Sequence, residues 1–278
     1  MMDLYNETCF ECSKVITQKY STSFSGGINA FAKKLHYPIY AIYGFVRYAD
    51  EIVDTFHDYD KHNLIKDFRE KTFDAIENKI SLNPVLHSFQ QVVNTYSIDH
   101  QLIGSFLHSM EMDLNKTNYS ESGYKEYIYG SAEVVGLMCL KVFCEGDEAL
   151  HDRLMPTARS LGAAFQKINF LRDIQSDYED RGRTYFPNVD FGNFTEAEKI
   201  TIEAEIKHDF DHALEGIKQL PITCRKGVYI AYIYYTALFN KIKNTPANLV
   251  AKKRIRVSDQ KKILLMARAM LNIKLNLL

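Results

Sequence analysis

Apolar residues recur at spacings of three and four along nearly the whole chain, whereas strict alternation of apolar and polar residues is scarce. This periodicity predicts α-helices and few β-strands. Prolines fall at plausible helix edges, because proline disrupts a helix interior: Pro38 precedes a predicted helix over 39–56, and Pro156 begins one over 156–178. Since no Gly/Ser-rich linker or change in composition interrupts the chain, we predict a single all-α domain over residues 1–278.

The last predicted helix is amphipathic. Ser258 is a natural N-cap, because its hydroxyl can accept a hydrogen bond from a backbone N–H of the first turn, and the body of the helix covers 261–278. We expect the apolar side to be buried in the core; contact with a membrane surface is the alternative. The apolar side consists of Ile263, Leu264, Met266, Ala267, Met270, Leu271 and Ile273.

Two aspartate pairs stand on predicted helices that are otherwise largely apolar. The pairs are Asp50 with Asp54 and Asp173 with Asp177. A spacing of four puts both carboxylates on one helix face, where like charges destabilise the helix. Because apolar residues flank each acidic stripe, we expect it to face an internal cavity, and buried carboxylates need a cation. The pattern therefore indicates Mg²⁺, which binds carboxylates together with substrate phosphate oxygens; the alternative is a solvated acidic face.

Amide and basic side chains accompany the aspartates. Gln166 and Asn169 lie on the same predicted face as the second acidic pair. A guanidinium group matches the oxygens of a diphosphate, so arginines beside carboxylates and metal suit a diphosphate substrate. For the basic segment before the last helix, a solvated charge run is the alternative. The arginines concerned are Arg47, Arg172, Arg183 and Arg254.

Composition narrows the function classes. A net charge of -1 without a basic tail argues against nucleic-acid binding. An odd number of cysteines indicates reduced thiols, and the lone Cys9–Cys12 pair lacks a second ligand pair for zinc. The first twenty residues contain no apolar signal-peptide region, and the uncharged run 227–240 is shorter than the about 20 residues of a membrane span. We expect a cytoplasmic protein, and peripheral association with the inner face of the cell membrane is compatible with this location.

The ordered motifs resemble the squalene/phytoene synthase family, the head-to-head prenyl diphosphate synthases. The resemblance runs in matching order over about residues 15–270. Thr22 stands where many members carry Lys or Arg, so this position lacks the usual basic side chain. The matching segments are 20–25 (YSTSFS), 43–54 (YGFVRYADEIVD), 127–136 (YIYGSAEVVG), 166–177 (QKINFLRDIQSD), 182–187 (GRTYFP) and 254–258 (RIRVS).

The resemblance implies an all-α isoprenoid synthase (terpenoid synthase) helical bundle around a central cavity. It also implies roles for residues at the matching positions. Mg²⁺, with Mn²⁺ as an alternative, would be held by Asp50, Asp54, Asn169, Asp173 and Asp177. Diphosphate charge would be neutralised by Arg47, Arg172, Arg183 and Arg254. The substrate-binding and reaction pocket would include Ser23, Phe24, Tyr127, Gln166 and Tyr235, with Tyr127 among the catalytic residues.

The implied reaction is the Mg²⁺-dependent condensation of two prenyl diphosphates. We expect two geranylgeranyl diphosphates to give phytoene through a cyclopropyl diphosphate intermediate, as the first step of carotenoid biosynthesis and without NADPH. The short chain, lacking the C-terminal membrane helix of eukaryotic squalene synthases, favours this over squalene or dehydrosqualene synthase acting on farnesyl diphosphate. The oily product favours peripheral membrane association, and the oligomeric state stays open.

Two alternatives come from other classes. A non-catalytic helical assembly factor on the same fold would be expected to lose motif aspartates, whereas this chain keeps all four. A head-to-tail prenyltransferase or terpene cyclase shares acidic helices and Mg²⁺, but its motifs are spaced differently and it lacks the segments matched at 127–136 and 182–187.

Overall fold

A computed structural model describes residues 1–115, 117–180, 182–189 and 191–274; for Thr22, Ser23, Asp180, Asp259 and Lys274 it describes the backbone alone. The described chain is helical, and its extended backbone pairs at the isolated parallel bridge between Asn118 and Thr184. The all-α prediction is confirmed. The α-helices are α1 Met2–Tyr20, α2 Thr22–Ile28, α3 His36–Asp54, α4 Lys61–Asn78, α5 Pro84–Tyr96, α6 His100–Asn115, α7 Glu121–Ile128, α8 Val134–Cys144, α9 Glu148–Gln175, α10 Glu196–Gln219, α11 Ile222–Lys243, α12 Ala247–Val250 and α13 Asp259–Lys274.

Helix α3 carries the first aspartate pair through the centre of the core. It packs against α1, α5, α6 and α8. Its Phe45 is fully buried and stacks on Phe89 of α5, with ring centroids 3.9 Å apart, and lies 5.4 Å from Phe106 of α6. Neighbouring helices cover most of α3, and its polar stripe lies at the part that stays partly exposed.

Helix α9 carries the second pair and begins earlier than the sequence predicts. Asp147 caps it by accepting a hydrogen bond from the backbone N–H of Leu150 at 2.9 Å. Pro156 therefore lies inside the helix, and the prediction that it begins there was wrong. Packing of α9 against α8 and α10 outweighs the lost backbone hydrogen bond.

Close backbone approach brings α6, α8 and α9 together. A Cβ on Gly130 would lie 2.6 Å from the carbonyl oxygen of Ser105 on α6, and one on Gly162 would lie 2.6 Å from that of Ala132. Both contacts involve the π-helical turn Tyr129–Glu133 that joins α7 to α8. Such turns are frequent at functional sites, and this one directly follows the helix that carries Tyr127.

Within the described residues, one helical stretch is long and apolar enough to cross a membrane. It is Glu121–Cys144, with mean hydropathy 1.4 and 56% of its most apolar window buried inside the protein. A core helix of a soluble bundle has the same composition. The stretch packs against α6 and α9, which accounts for its apolar character.

Helix α13 packs against α11 through a different face from the one expected. Leu265, Met266, Ala269 and Ile273 face the core. Of the predicted apolar side, only Met266 and Ile273 do so; the other predicted members are exposed. The expectation of core burial was therefore wrong for most of that side. Ser258 does cap the helix, with its Oγ 3.4 Å from the backbone nitrogen of Lys261, and residues 275–278 lie outside the described chain.

Candidate active site

The stripe on α3 contains charged side chains at spacings of three and four. The side chains of Asp50 and Asp54 are 33% and 28% exposed. Arg47 pairs with Glu51, lies 4.0 Å from Asp50 through Nη1, and places its guanidinium over the Tyr20 ring at 4.3 Å from the centroid. Its Nε is buried and has no hydrogen-bond partner among the described residues. A buried donor of a charged group without an acceptor among the described residues is suited to binding an anion.

The stripe on α9 is dominated by arginine pairs on Asp173. Arg172 Nε lies 3.0 Å from Asp173 Oδ2, and Arg254 Nε lies 2.9 Å from Asp173 Oδ1. Burial opposes the charged form of Arg172, but its hydrogen bond to Asp173 raises its pKa. The structure therefore brings Arg172, Arg254 and Asp173 together, although Arg254 follows α12 and lies far from α9 in the chain.

Asp177 lies just beyond the regular α-helix. The helical path continues from α9 into the π-helical turn Ser176–Asp180, so the predicted extent to Tyr178 is reached in this form. The Asp177 residue is buried, and its backbone carbonyl accepts a hydrogen bond from the N–H of Arg183 at 2.8 Å. The turn therefore ties the second acidic motif to the segment that follows it.

Arg183 connects this segment to the first acidic motif. Its buried side chain places Nη1 3.0 Å from Asp54 Oδ1 and 3.7 Å from Asp113 Oδ2. Burial opposes the charged form of Arg183, but the Asp113 carboxylate raises its pKa. The preceding Gly182 has φ +64°, a left-handed conformation that glycine adopts without strain. Arg183 thus connects the two acidic motifs, through its backbone N–H to the Asp177 carbonyl and through its guanidinium to Asp54.

Asp113 is a site residue that the sequence reasoning missed. It accepts hydrogen bonds from Tyr127 at 2.7 Å and from Tyr119 and Tyr185 at 3.2 Å each. Burial raises the pKa of Asp113 to about 6, while the Arg183 charge opposes the rise. A lone carboxylate on the apolar side of α6 was the available signal, by the same criterion that singled out the aspartates of α3.

Tyr127 is held as a neutral hydrogen-bond donor. Burial, followed by the charge of Asp113, raises its pKa well above the ordinary value. Its ring lies 5.0 Å from that of Tyr185 and 5.9 Å from that of Phe170. Tyr185 also stacks on Phe170 at 4.1 Å. Tyr127 therefore belongs to an aromatic cluster whose hydroxyl groups converge on Asp113.

The remaining predicted pocket residues lie on α2, α9 and α11. Tyr235 donates a hydrogen bond to Asn169 Oδ1 at 3.3 Å and stacks on Phe165 at 3.9 Å. Asn169 Nδ2 in turn lies 3.5 Å from Gln166 Oε1. Phe24, half-exposed on α2, stacks on Tyr43 of α3 at 5.0 Å. The prediction for Ser23 concerns a side chain outside the described set.

Tyr43 of α3 and Tyr235 of α11 lie near each other. Burial raises the pKa of both phenols, while the charge of Arg47 opposes the rise for Tyr43 and that of Arg172 opposes it for Tyr235. Both side chains nevertheless keep accessible surface. We call this region, which includes Tyr43, Arg47, Asp50, Gln166, Asn169 and Tyr235, the inter-helix region.

Two pockets are formed by residues of α3 or of its neighbours. One, of about 450 Å³, lies among α1, α3, α4 and α5 and is lined by Tyr20, Tyr48 and Phe56, among others. The other, of about 500 Å³, has Arg183 and Asp113 in its wall. The second pocket therefore adjoins the ion pair of Arg183 and Asp113.

The donor set fits a divalent metal that binds together with an anion. Carboxylate oxygens of the two aspartate pairs and the amide oxygen of Asn169 are the hard ligands that Mg²⁺ prefers. Arginines compensate these carboxylates in the structure: Arg183 on Asp54, and Arg172 with Arg254 on Asp173. When a metal diphosphate binds, the carboxylates can bind the metal and the arginines can bind the diphosphate. Each charge then keeps a partner of opposite sign.

A separate group of metal-ligating side chains does not belong to this site. Within the described residues, Glu148, His151 and Asp152 bring ligand atoms within 4.8 Å of one another. His151 precedes Asp173 by 22 residues on α9, which corresponds to about 33 Å along a helix. Lys141 already pairs with Glu148 at 2.6 Å, and the group lies at the far end of α9 from the aspartates.

The family model for squalene/phytoene synthase matches residues 17–201, about two thirds of the chain and every predicted site residue except Tyr235 and Arg254. The chain belongs to the squalene/phytoene synthase family. Its members are prenyltransferases. The family supports head-to-head condensation of prenyl diphosphates, of phytoene or squalene type, as the reaction class, with a divalent metal binding the diphosphate.

The chain is similar both to phytoene synthases and to a 4,4'-diapophytoene synthase. It is 27% identical over 292 residues to phytoene synthase 1, chloroplastic, of Solanum lycopersicum, covering 95% of this chain and 68% of that protein. It is 24% identical over 196 residues to 4,4'-diapophytoene synthase of Staphylococcus haemolyticus (strain JCSC1435), covering 70% and 66%. The chain thus spans about two thirds of the length of these relatives.

The fold of the chain is that of a solved relative. A crystal structure of a dehydrosqualene synthase in complex with ligand superposes with a TM-score of 0.84 at 22% identity, covering 97% of this chain and 98% of that chain. The predicted isoprenoid synthase fold is therefore confirmed. At this identity the likeness speaks for the fold alone.

Proposed function

We propose that this synthase joins two geranylgeranyl diphosphates head to head into phytoene, through a cyclopropyl diphosphate intermediate and without NADPH. The observation that carries the proposal is the position of Arg183, whose backbone N–H donates a hydrogen bond to the Asp177 carbonyl of the second acidic motif and whose guanidinium pairs with Asp54 of the first. The similarity to a plant phytoene synthase over 95% of the chain supports the C20 substrate. We further propose that residues 1–278 act as one domain in the cytoplasm.

The metal is proposed to be Mg²⁺, with Mn²⁺ as a substitute, held by Asp50, Asp54, Asn169, Asp173 and Asp177. When bound, it supplies charge stabilisation to the departing diphosphate. Asn169 is oriented for this role, because Tyr235 and Gln166 hold its amide from two sides. These contacts limit the rotation of the amide before any ligand arrives.

We assign the arginines two roles. Arg254 has a half-exposed side chain and Arg47 has a buried Nε without a partner among the described residues, so both are suited to engage the diphosphate. Arg183 is only 8% exposed and lies between two carboxylates. We propose that it keeps its charge beside Asp54 and orients that carboxylate, while Arg172 does the same for Asp173.

The aromatic residues provide a setting for an allylic cation. Rings of Tyr127, Tyr185 and Phe170 lie within 6 Å of one another, and their faces can stabilise positive charge. Exclusion of water prevents premature quenching. Tyr127 donates its hydrogen bond to Asp113 and has a raised pKa, so it is poorly suited to accept a proton; we propose that the released diphosphate accepts the final proton.

The second candidate is dehydrosqualene or squalene synthase activity on farnesyl diphosphate. The similarity to a 4,4'-diapophytoene synthase and the superposition on a dehydrosqualene synthase favour it. The two candidates share the charged site and differ in the length of the prenyl chain that the active site accepts.

A product assay separates them. Purified protein with Mg²⁺ is incubated with either farnesyl or geranylgeranyl diphosphate, with and without NADPH, and the hydrocarbon is identified by mass spectrometry. An EDTA-treated sample is the matched control. Phytoene from geranylgeranyl diphosphate without NADPH is expected. A C30 product formed only from farnesyl diphosphate would replace the first candidate by the second, and no turnover of either substrate would remove both.

A further inference from the structure

Helix α13 carries an exposed apolar stripe. Ile263, Leu264 and Leu271 are 65%, 69% and 54% exposed, and Met270 is 37% exposed. Together with the exposed Ala267, they occupy positions that share one face of a helix. Clustered exposed aliphatic side chains mark an interaction surface, whereas scattered ones do not.

The fold holds this stripe outward. The opposite face of α13 contains Ala269, which is fully buried, and the part-buried Leu265 and Ile273. Asn272 Nδ2 also donates a hydrogen bond to the Tyr229 hydroxyl of α11 at 3.2 Å. Turning the stripe inward would break these contacts, so the helix is apolar on two faces and only one of them is used by the core.

Basic residues border the stripe. Lys261 and Arg268 are exposed on α13, and Lys252, Lys253 and Arg256 are exposed in the segment before it. Between residues 252 and 274 the sequence contains eight Lys and Arg against one acidic residue, although the whole chain has a net charge of -1. This local excess of positive charge complements an anionic partner.

The dimensions of the stripe favour a lipid surface over a protein. From residue 263 to 271 it is about 13 Å long and about 10 Å wide. A standard protein–protein interface buries about 800 Å² per partner, several times this footprint. A bilayer interface accepts a single amphipathic helix with aliphatic residues on one face and basic residues at its edge.

We propose that this surface, formed by Ile263, Leu264, Ala267, Met270 and Leu271 with Lys261 and Arg268 at its edge, docks the protein on an anionic lipid bilayer. In this arrangement α13 lies in the plane of the interface, with the aliphatic side chains among the acyl chains and the basic groups at the lipid phosphates. The inference goes beyond the proposed reaction and does not depend on it, because no residue of the surface belongs to the site.

The chain contains no tryptophan, so one introduced residue reports on its own position without background. Leu264→Trp is compared with Leu82→Trp, a control whose native side chain is 95% exposed outside this surface. Vesicles of phosphatidylglycerol should shift the tryptophan emission of the Leu264→Trp variant to the blue, and phosphatidylcholine vesicles should do so far less. The control should not respond. An unchanged Leu264→Trp spectrum, or equal shifts for both variants, would overturn the proposal.

Vesicle sedimentation tests the aliphatic and the basic residues of the surface separately. Ile263→Ser/Leu264→Ser/Leu271→Ser should lose most binding to phosphatidylglycerol vesicles, while Ile80→Ser/Leu82→Ser should retain it. Lys261→Glu/Arg268→Glu should bind at least about 20-fold more weakly, since each basic group contributes about five-fold, whereas Lys66→Glu should bind normally.

Turnover of detergent-dispersed substrate should stay unchanged in all these variants, which keeps failure of docking distinct from failure of the proposed function. If both the serine and the glutamate variants bound vesicles as strongly as the wild type, the assignment of this surface to lipid binding would be refuted. Association that depends on protein concentration without lipid would also refute it, because the surface would then bind a second copy of the chain.

Discussion

The Nη1 atom of Arg183 lies 3.0 Å from Oδ1 of Asp54, although the two residues are 129 positions apart in the chain. The contact joins the segment after the second acidic motif to the helix that carries the first. Because the Arg183 side chain is almost fully buried, the pair is formed in a setting where an unpaired charge is costly.

Removing this link should affect stability and catalysis together. Arg183→Gln leaves Asp113 without its buried counter-charge, and we expect unfolding to become easier by about 3–5 kcal/mol. Arg183→Lys keeps a positive charge but loses the planar fork, so we expect a smaller loss of stability with kcat/KM reduced about 100-fold. Urea unfolding and steady-state kinetics measure both quantities. The exposed Arg153→Gln is the control, and equal stability of Arg183→Gln and wild type would contradict the argument.

The metal assignment predicts inactive but folded variants. Asp50→Asn and Asp173→Asn remove one carboxylate charge each from partly exposed positions, so we expect near-native circular dichroism and unfolding curves with turnover below about 1% of wild type. Asp67→Asn, which alters an exposed carboxylate paired with Lys71 on α4, should retain full activity. Near-full activity of either site variant would show that its carboxylate does not bind the metal.

Tyrosine variants distinguish a role in the reaction from a role in holding Asp113. Tyr127→Phe and Tyr119→Phe each remove one hydrogen bond to Asp113, so their effects on unfolding should be similar, about 1–2 kcal/mol. If Tyr127 also lines the reaction pocket, kcat should fall at least about ten-fold more in Tyr127→Phe. Equal kcat values in the two variants would reduce Tyr127 to a positioning residue.

Asp113 should make unfolding depend on pH. Its pKa is about 6 in the folded protein against an ordinary value of 3.8, so the folded state holds the proton more tightly than the unfolded state. The contribution of this group to stability is therefore present below about pH 4 and is lost as the pH rises through 6, by about 3 kcal/mol. The unfolding free energy of the wild type minus that of Asp113→Asn should fall by that amount as the pH rises from about 4 to above 6. A pH-independent difference would contradict the raised pKa.

Backbone contact at Gly130 predicts a steric effect. A Cβ there would lie 2.6 Å from the Ser105 carbonyl oxygen, so Gly130→Ala should force α6 away from the turn that follows α7 and lower the unfolding free energy by about 1–3 kcal/mol. Gly104→Ala, on α6, meets only Arg69 Nη2 at 3.8 Å and should be neutral or stabilising by up to about 1 kcal/mol. Thermal unfolding of both variants tests the contrast.

Much of the charged site could be predicted from the sequence, because its signals are local. Asp50 and Asp54 share a face through helical spacing alone, and their apolar flanks indicate that this face is enclosed. Arg172 lies beside Asp173 in the chain and pairs with it in the structure. The start of α9 was misjudged at Pro156, since its cap at Asp147 and its packing against two helices outweigh the propensity of a single residue.

The amino-acid sequence by itself determined the helical architecture, the two acidic stripes and the arginines around them, because helical periodicity and residue type are properties of neighbouring positions. Only the tertiary structure decided that Asp113 binds Tyr127 and Arg183, and that Arg183 reaches Asp54. It also decided which face of α13 meets α11. These contacts depend on packing between distant segments, and a helix with apolar residues on two faces does not specify from its own pattern which face the core will cover.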